Sequence, residues 1–295
     1  MNDTKNIYAI FGITNANFFN VNIEKDIPKF IQPYTVECLS DEIAQRCNAT
    51  ALDFFNKVHE RLENGDVRGA YNIFGKHLNE PKENCLGYAS STNGKGLNEL
   101  AYYAMKQILD KPFLVGEIKQ IADLQLYVEQ IMQDRISDIY ANVTRKVLND
   151  YTIEQCQLYN MTHLLQEREF GPYWDIETHQ WIANSRQVML VINNKPILLT
   201  PKAFLKGSFG PYKMYRNVLL TEWIKQDLFK NESSLIRERK NGEKYITKKE
   251  KDKEVRKTGF IPSKSEMVSF ASAHPNATEV FRKILEEYRN RKKKV

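Results

Sequence analysis

Asp134, Asp138, Asn142 and Arg145 recur at intervals of four, four and three residues in the segment Asp134-Arg135-Ile-Ser137-Asp138-Ile-Tyr-Ala-Asn142-Val-Thr-Arg145. On a helix those intervals put all four side chains on one face, opposite Ile136, Ile139, Val143 and Val147. Two carboxylates one turn apart suit a divalent cation, Mg2+ or Mn2+, or a general base, and Asn142 and Arg145 suit a phosphate. A polar face opposite an apolar one is also what any surface helix shows.

A second candidate is Ser91-Thr92-Asn93-Gly94-Lys95-Gly96, which runs into a stretch of good helix formers from Leu97. Glycines let backbone amides converge and a helix N-terminus favours an anion, so Gly94, Lys95 and Gly96 form an expected phosphate site. The segment is not a Walker A loop, because Gly96 stands where Ser or Thr would bind magnesium. Lys202, after the apolar run Pro196-Ile-Leu-Leu-Thr-Pro201, is an expected third catalytic group that would meet an acid such as Asp175 across a cleft. Trp174 and Trp181 read as packing residues. Glu117-Ile-Lys119 matches half of a nuclease metal motif, but the upstream Asp-bearing strand is missing and the pair reads as a surface Glu and Lys. His59, His77, His163, His179 and His274 are isolated in sequence, and there is no His-x-x-x-His, no Cys-x-x-Cys and no Gly-x-Ser-x-Gly.

The elements that must hold these residues follow from periodicity and punctuation. The stretch from Ile7 to Tyr34 mixes β-branched and aromatic residues with Asn and ends in Pro28 and Pro33, which predicts strands and turns. Ile43, Cys47, Leu52, Phe55, Val58 and Leu62 predict a helix over 41–64, stopped by Gly65. The Gly- and Ser-rich stretch 80–96 predicts a loop, and a helix follows over 97–109. Ile121, Leu124, Val128, Ile131, Ile139, Val143 and Val147 predict one long helix over 119–149. Val188-Met-Leu-Val-Ile and Pro196-Ile-Leu-Leu-Thr flank Asn193-Asn194 and predict a hairpin. Two more helices are expected near 212–229 and 276–291. The fold class is therefore α+β: mostly helical, with an irregular or β N-terminal segment and a β-hairpin near 188–202. A main domain over 1–232 and a basic helical region over 233–295 are expected.

Composition sets the outer limits. The chain has 295 residues, 42% of them hydrophobic, enough for a substantial core and too many for a disordered polymer. Lys and Arg outnumber Asp and Glu by 43 to 37, for a net charge of +6, with the excess concentrated near the C-terminus. A polyanion is the partner such a balance favours. Four scattered cysteines fit reduced thiols in a cytoplasm, and no apolar run has the length of a signal or a membrane span.

Several stretches together resemble an uncharacterised group of bacterial proteins associated with phage-defence and mobile-element loci. They are Asp26-Ile-Pro-Lys-Phe30-Ile31-Gln-Pro33, Leu86-Gly87-Tyr88 with Gly94-x-Gly96, the Asp134–Arg145 segment, Tyr151-Thr152-x-x-Gln155-Cys156, and Ile197-Leu-Leu-Thr-Pro201-Lys202. At Gln32 the chain departs from the acidic residue usual in the group. The resemblance implies a setting and not a reaction. The leading expectation is an antiviral effector acting on nucleic acid, a metal-dependent nuclease, with a homo-oligomeric state open. The alternatives are a non-catalytic nucleic-acid-binding or sensor subunit partnering an ATPase, and an enzyme acting on a phosphorylated small molecule.

Overall fold

The computed structural model describes residues 5–87, 96–205, 225–226, 228–257 and 263–293. The chain divides into two compact units, Met1–Ser208 and Phe209–Val295. The protein is α+β, mostly helical with small antiparallel sheets.

In the first unit the N-terminal stretch is irregular and not built of strands. It carries two short helices, α1 (Ile7–Phe11) and α2 (Pro33–Val36), and is tied down by single bridges, Asn6 to Asn22, Phe18 to Pro201 and Ile27 to Leu86. The predicted 41–64 helix is α3 (Glu42–Glu63), capped by Asp41, whose carboxylate accepts from the Ala44 amide at 3.1 Å. α4 (Val67–Phe74) and α5 (Leu97–Leu109) pack side by side, and α3 packs on both. α6 (Phe113–Glu117) follows at once. Its Glu117 is buried, so the surface assignment for that residue is wrong.

The long helix expected over 119–149 is broken. A 3-10 turn, Ile121–Asp123, leads into α7 (Leu124–Tyr127); α8 spans Gln133–Val143 and α9 spans Arg145–Leu158. The apolar spacing suits a helix throughout, but polar side chains, some local and some from other elements, win at the breaks. The Asp123 carboxylate takes the Lys119 and Gln120 amides, 3.0 Å each, and the Tyr34 hydroxyl at 2.7 Å. Past α7, Gln130 is left-handed (φ 63), and Gln107 of α5 serves the freed backbone by accepting from the Glu129 amide at 3.1 Å. At Thr144 the hydroxyl donates to the Tyr140 carbonyl at 2.7 Å, a back-bond that bends the chain without ending its course.

β4 (Ser185–Ile192) pairs antiparallel with β1 (Leu165–Phe170) on one side and β5 (Lys195–Ile197) on the other. Asn193 and Asn194 both have positive φ, 50 and 62, the twist-matched turn that the Asn pair predicts. The hairpin strands end at Ile197, short of Lys202. A second hairpin, β2 (Tyr173–Asp175) with β3 (Gln180–Ile182), sets Trp174 opposite Trp181. Both indoles meet the Phe54 ring of α3 edge-on, at 5.1 and 5.6 Å, so they pack as expected.

In the second unit, β6 (Arg237–Glu238) and β7 (Lys244–Tyr245) form a short hairpin, followed by α10 (Lys248–Lys257), α11 (Lys264–Ala273) and α12 (Ala277–Lys293). α12 matches the helix expected over 276–291, whereas most of the one expected over 212–229 lies outside the described residues. Part of the basic excess here is spent internally, through Arg237–Glu250, Arg239–Glu243 and Lys283–Glu279 pairs. No described helix is long and apolar enough to cross a membrane.

Candidate functional site

Three segments of the first unit enclose a cleft of about 420 Å3: Ile23 to Asp26 from the irregular start, Glu80 to Cys85 around the 3-10 turn Lys82–Asn84, and Lys195 to Ile197 of β5. Backbone bonds knit them together. The Ile27 amide donates to the Cys85 carbonyl at 3.0 Å and the Leu198 amide to the Glu83 carbonyl at 2.8 Å. Cys85 is left-handed (φ 52), an uncommon conformation for cysteine and one whose strain the surrounding fold must offset.

The cleft is rich in charge, and much of that charge is unpaired. Glu24 pairs with Lys5, Glu83 faces Arg145, and the Lys195 ammonium donates to the Ile23 carbonyl at 3.3 Å. Asp26, Glu80, Lys25 and Lys82 enter no hydrogen bond or ion pair through their side chains among the described residues. Asp26 and Glu80 lie close enough to Asp138 of α8 to act on it electrostatically. Desolvation, opposed by Arg135 and reinforced by Asp134, Glu80 and Asp26, pushes the Asp138 carboxyl up to about 7. The Asp26 carboxyl is raised as well, first by burial and then by Glu80, with Lys195 and Lys82 opposing. Asp138 is partly exposed, and its side chain has no hydrogen-bond partner among the described residues.

The helix face predicted to present four functional side chains is divided in its roles. Asn142 and Arg145 do come together, but inside the protein. The Asn142 amide donates to the Asn79 carbonyl at 2.6 Å and to the Asp138 carbonyl at 2.8 Å. The guanidinium of Arg145, only 1% exposed, donates to Asn79 Oδ1 at 2.9 Å and Asn142 Oδ1 at 3.1 Å, and stands 3.6 Å from Glu83. Burial lowers its pKa and Glu83 opposes that shift. The backbone of Gly171 presses against the guanidinium so closely that a Cβ there would fall 1.4 Å from Nη1. Asn142 and Arg145 thus brace the Asn79–Cys85 segment from within. This corrects their expected role as phosphate ligands, since neither reaches solvent.

Asp134 and Asp138 sit one turn apart, as expected. Asp134 lies 4.0 Å from the neighbouring Arg135, and among the described residues no three His, Cys, Asp or Glu side chains gather closely enough to hold a metal ion. Lys202 is elsewhere: it donates to Asn15 Oδ1 at 3.2 Å, lies over the Tyr8 ring, and has no link to Asp134 or Asp138. Asp175 does not meet it either, because its carboxylate caps its own turn at Thr178. Gly96 is the N-cap of α5 without a side-chain capping bond, whereas Gly94 and Lys95 lie outside the described residues.

Sequence reasoning missed most of the cleft. Asp26 stood in one resemblance stretch, and Lys82-Glu83 follow a proline inside a presumed loop. Nothing in the linear order joins them to Lys195, some hundred residues on. It also missed a pair between His179 Nδ1 and Asp53 Oδ1 at 2.8 Å; Asp53 Oδ2 accepts from the Trp174 indole at 2.7 Å, which anchors the β2–β3 hairpin on α3.

No curated protein and no solved structure matches the chain. The family described as Domain of unknown function (DUF8370) matches residues 12–210, a stretch that contains the whole cleft, and the chain belongs to that family.

Proposed function

We propose that the protein acts on nucleic acid by hydrolysing phosphodiester bonds at the cleft of Asp26, Glu80 and Lys82, with Asp138 as general base. What supports this reading is an unpaired carboxyl pushed up to about 7 whose electrostatic neighbours, Asp26 and Glu80, line a cavity that also holds Lys25 and Lys82, two cations not consumed by ion pairs. A base tuned near the working pH combines the right protonation state with useful basicity. Once ionised, Asp138 would accept a proton from the attacking water while Lys25, Lys82 and Lys195 offset phosphate charge. Asn142 and Arg145 would hold the Glu80–Cys85 wall in place. Asp134 and Asp138 remain candidates to hold Mg2+ or Mn2+. Among the described residues no third His, Cys, Asp or Glu joins them closely enough to hold a metal ion, and the proton-transfer role for Asp138 is the better supported. The defence setting, a cytoplasmic location and an ATPase partner rest on the resemblance and composition.

The test incubates the full chain with end-labelled single-stranded and duplex oligonucleotides of RNA and DNA, in Mg2+, in Mn2+ and in EDTA. The expected rate rises with pH through about 7 and falls by two orders of magnitude or more in Asp138→Asn. Lys82→Ala weakens substrate binding. Undiminished cleavage by Asp138→Asn, or no cleavage of any oligonucleotide, would overturn the proposal, and the second result would leave a binding subunit as the reading. Cleavage abolished by EDTA and by Asp134→Asn would assign the two acids to a metal instead.

A further inference from the structure

α4 and α5 lie side by side, and their outward faces carry three tyrosines within ring contact. Tyr71 meets Tyr102 edge-to-face at 5.5 Å, and Tyr102 meets Tyr103 at 6.2 Å. Tyr102 is 45% exposed and Tyr103 51%, which is high for large aromatic side chains. With Asn98 and Glu99 they line an open concavity of about 350 Å3. Arg68 stands one turn before Tyr71 on α4. Lys106 stands four and three residues after Tyr102 and Tyr103 on α5, so each cation shares the surface of the neighbouring rings. Neither cation enters a hydrogen bond or ion pair among the described residues. Tyr and Arg also serve protein interfaces, so the rings alone do not choose the partner; two cations outside any ion pair on a chain of net charge +6 favour a polyanion. The face thus presents hydroxyl-bearing rings with Glu99 at the concavity and two cations, Arg68 and Lys106, on the adjoining helix turns outside it.

We infer that the α4–α5 face binds single-stranded nucleic acid, with bases stacking on Tyr102 and Tyr103 and phosphates meeting Arg68 and Lys106. Exposed aromatic rings accept any base because every base has a π-face, and flanking cations follow the backbone. A duplex keeps its base faces stacked inward and cannot use the rings. The inference names the strandedness of the polymer in the proposed reaction and rests on that reading for its purpose. Its test reads binding and not turnover, so the two fail separately.

Fluorescence anisotropy with a labelled oligothymidylate carrying cleavage-resistant phosphorothioate links, at low and moderate salt, measures the effect on the intact chain. Tyr102→Ala/Tyr103→Ala should weaken binding roughly ten-fold or more, in keeping with the loss of one or two stacked bases. Tyr102→Phe/Tyr103→Phe should retain wild-type affinity within about three-fold, since the rings remain. Arg68→Ala/Lys106→Ala should reduce the slope of log affinity against log salt by about 1.4, for two phosphate contacts on a single strand. All six changes lie on helix surfaces, and unchanged melting curves show that folding is intact. Binding unaltered by the double alanine change at the rings, or duplex bound as tightly as single strand, would overturn the inference, whether or not the cleft cleaves anything.

Discussion

Asp138→Asn should stabilise the protein while abolishing its reaction. The Asp138 carboxyl has a folded-state pKa of about 7 against an ordinary 3.8. The folded chain therefore holds that proton more tightly than the unfolded chain, and stability falls as pH rises from about 4 to about 7, then levels off. At about 1.4 kcal/mol per pKa unit the full cost is about 4 kcal/mol at pH 8, and about 2–3 after allowing for partial exposure and solvent screening. Asparagine keeps the shape and removes the charge. The variant should therefore exceed wild type by about 2–3 kcal/mol at pH 8, or roughly 4–12 °C in melting temperature. Toward pH 4, where the folded group is protonated and the unfolded one about half so, the gain should shrink to under about 1 kcal/mol. Melting curves of both proteins from pH 4 to 8 measure this directly. A difference that does not grow with pH, or a variant less stable than wild type at pH 8, would show that the carboxyl is not held in the unpaired, desolvated state described above. Coincident gain in stability and loss of activity is the signature of a group kept for function at the expense of the fold.

Gly171→Ala should cost about 1–3 kcal/mol or more, because the new methyl would overlap Arg145 Nη1 and one of them must move; urea unfolding measures it, and a neutral result would remove the close approach. Arg145→Met should cost about 2–4 kcal/mol, less than a fully buried pair would because Glu83 reaches solvent, and Arg145→Lys should not rescue it, since a single ammonium cannot stand both where Nη2 serves Asn79 and Asn142 and where Nη1 faces Glu83 at 3.6 Å; a double-mutant cycle with Glu83→Gln separates the ion pair from the amide bonds. Thr152→Val should cost about 1–3 kcal/mol by stranding the buried Leu199 amide, which now donates to the Thr152 hydroxyl at 2.9 Å. Asn194→Val should cost about 1–2 kcal/mol at its positive φ, whereas Asn194→Gly should be close to neutral; equal melting temperatures for the two would contradict the left-handed turn.

Local signals in the sequence were read well where local physics decides the outcome. Asp41 before an apolar period gives α3, and Asn193-Asn194 between apolar runs gives the β4–β5 hairpin. The run after Gly96 gives α5 at its observed bounds. The failures lie where polar side chains, near or remote in sequence, compete for the backbone. Ile121, Leu124, Val128 and Ile131 keep helical spacing across a segment that is not one helix, because Asp123 and Gln107 offer its backbone other bonds. Spacing reports which residues are apolar. It does not report whether a carboxylate from the same turn or an amide from another helix will take the amides that a helix needs.

The same reasoning explains why the candidate site was only half legible. Spacing correctly put Asp138, Asn142 and Arg145 on one side of α8 and its continuation, but a helix wheel cannot tell which side of a buried helix faces water. Here the Asn79–Cys85 segment covers that side, so the amide and the guanidinium turn from ligands into braces, and of the three only the Asp138 carboxyl keeps some exposure. Their burial still bears on chemistry. A wall that carries Glu80 and Lys82 on an irregular segment would drift without internal bonds, and three donations from Asn142 and Arg145 to Asn79 and to each other fix its start. If that bracing matters, Asn142→Ala should change the rate and the pH at which it rises, through the Glu80–Asp138 interaction, more than it changes substrate affinity. A purely structural asparagine would lower stability and leave the pH profile of the remaining activity where it was.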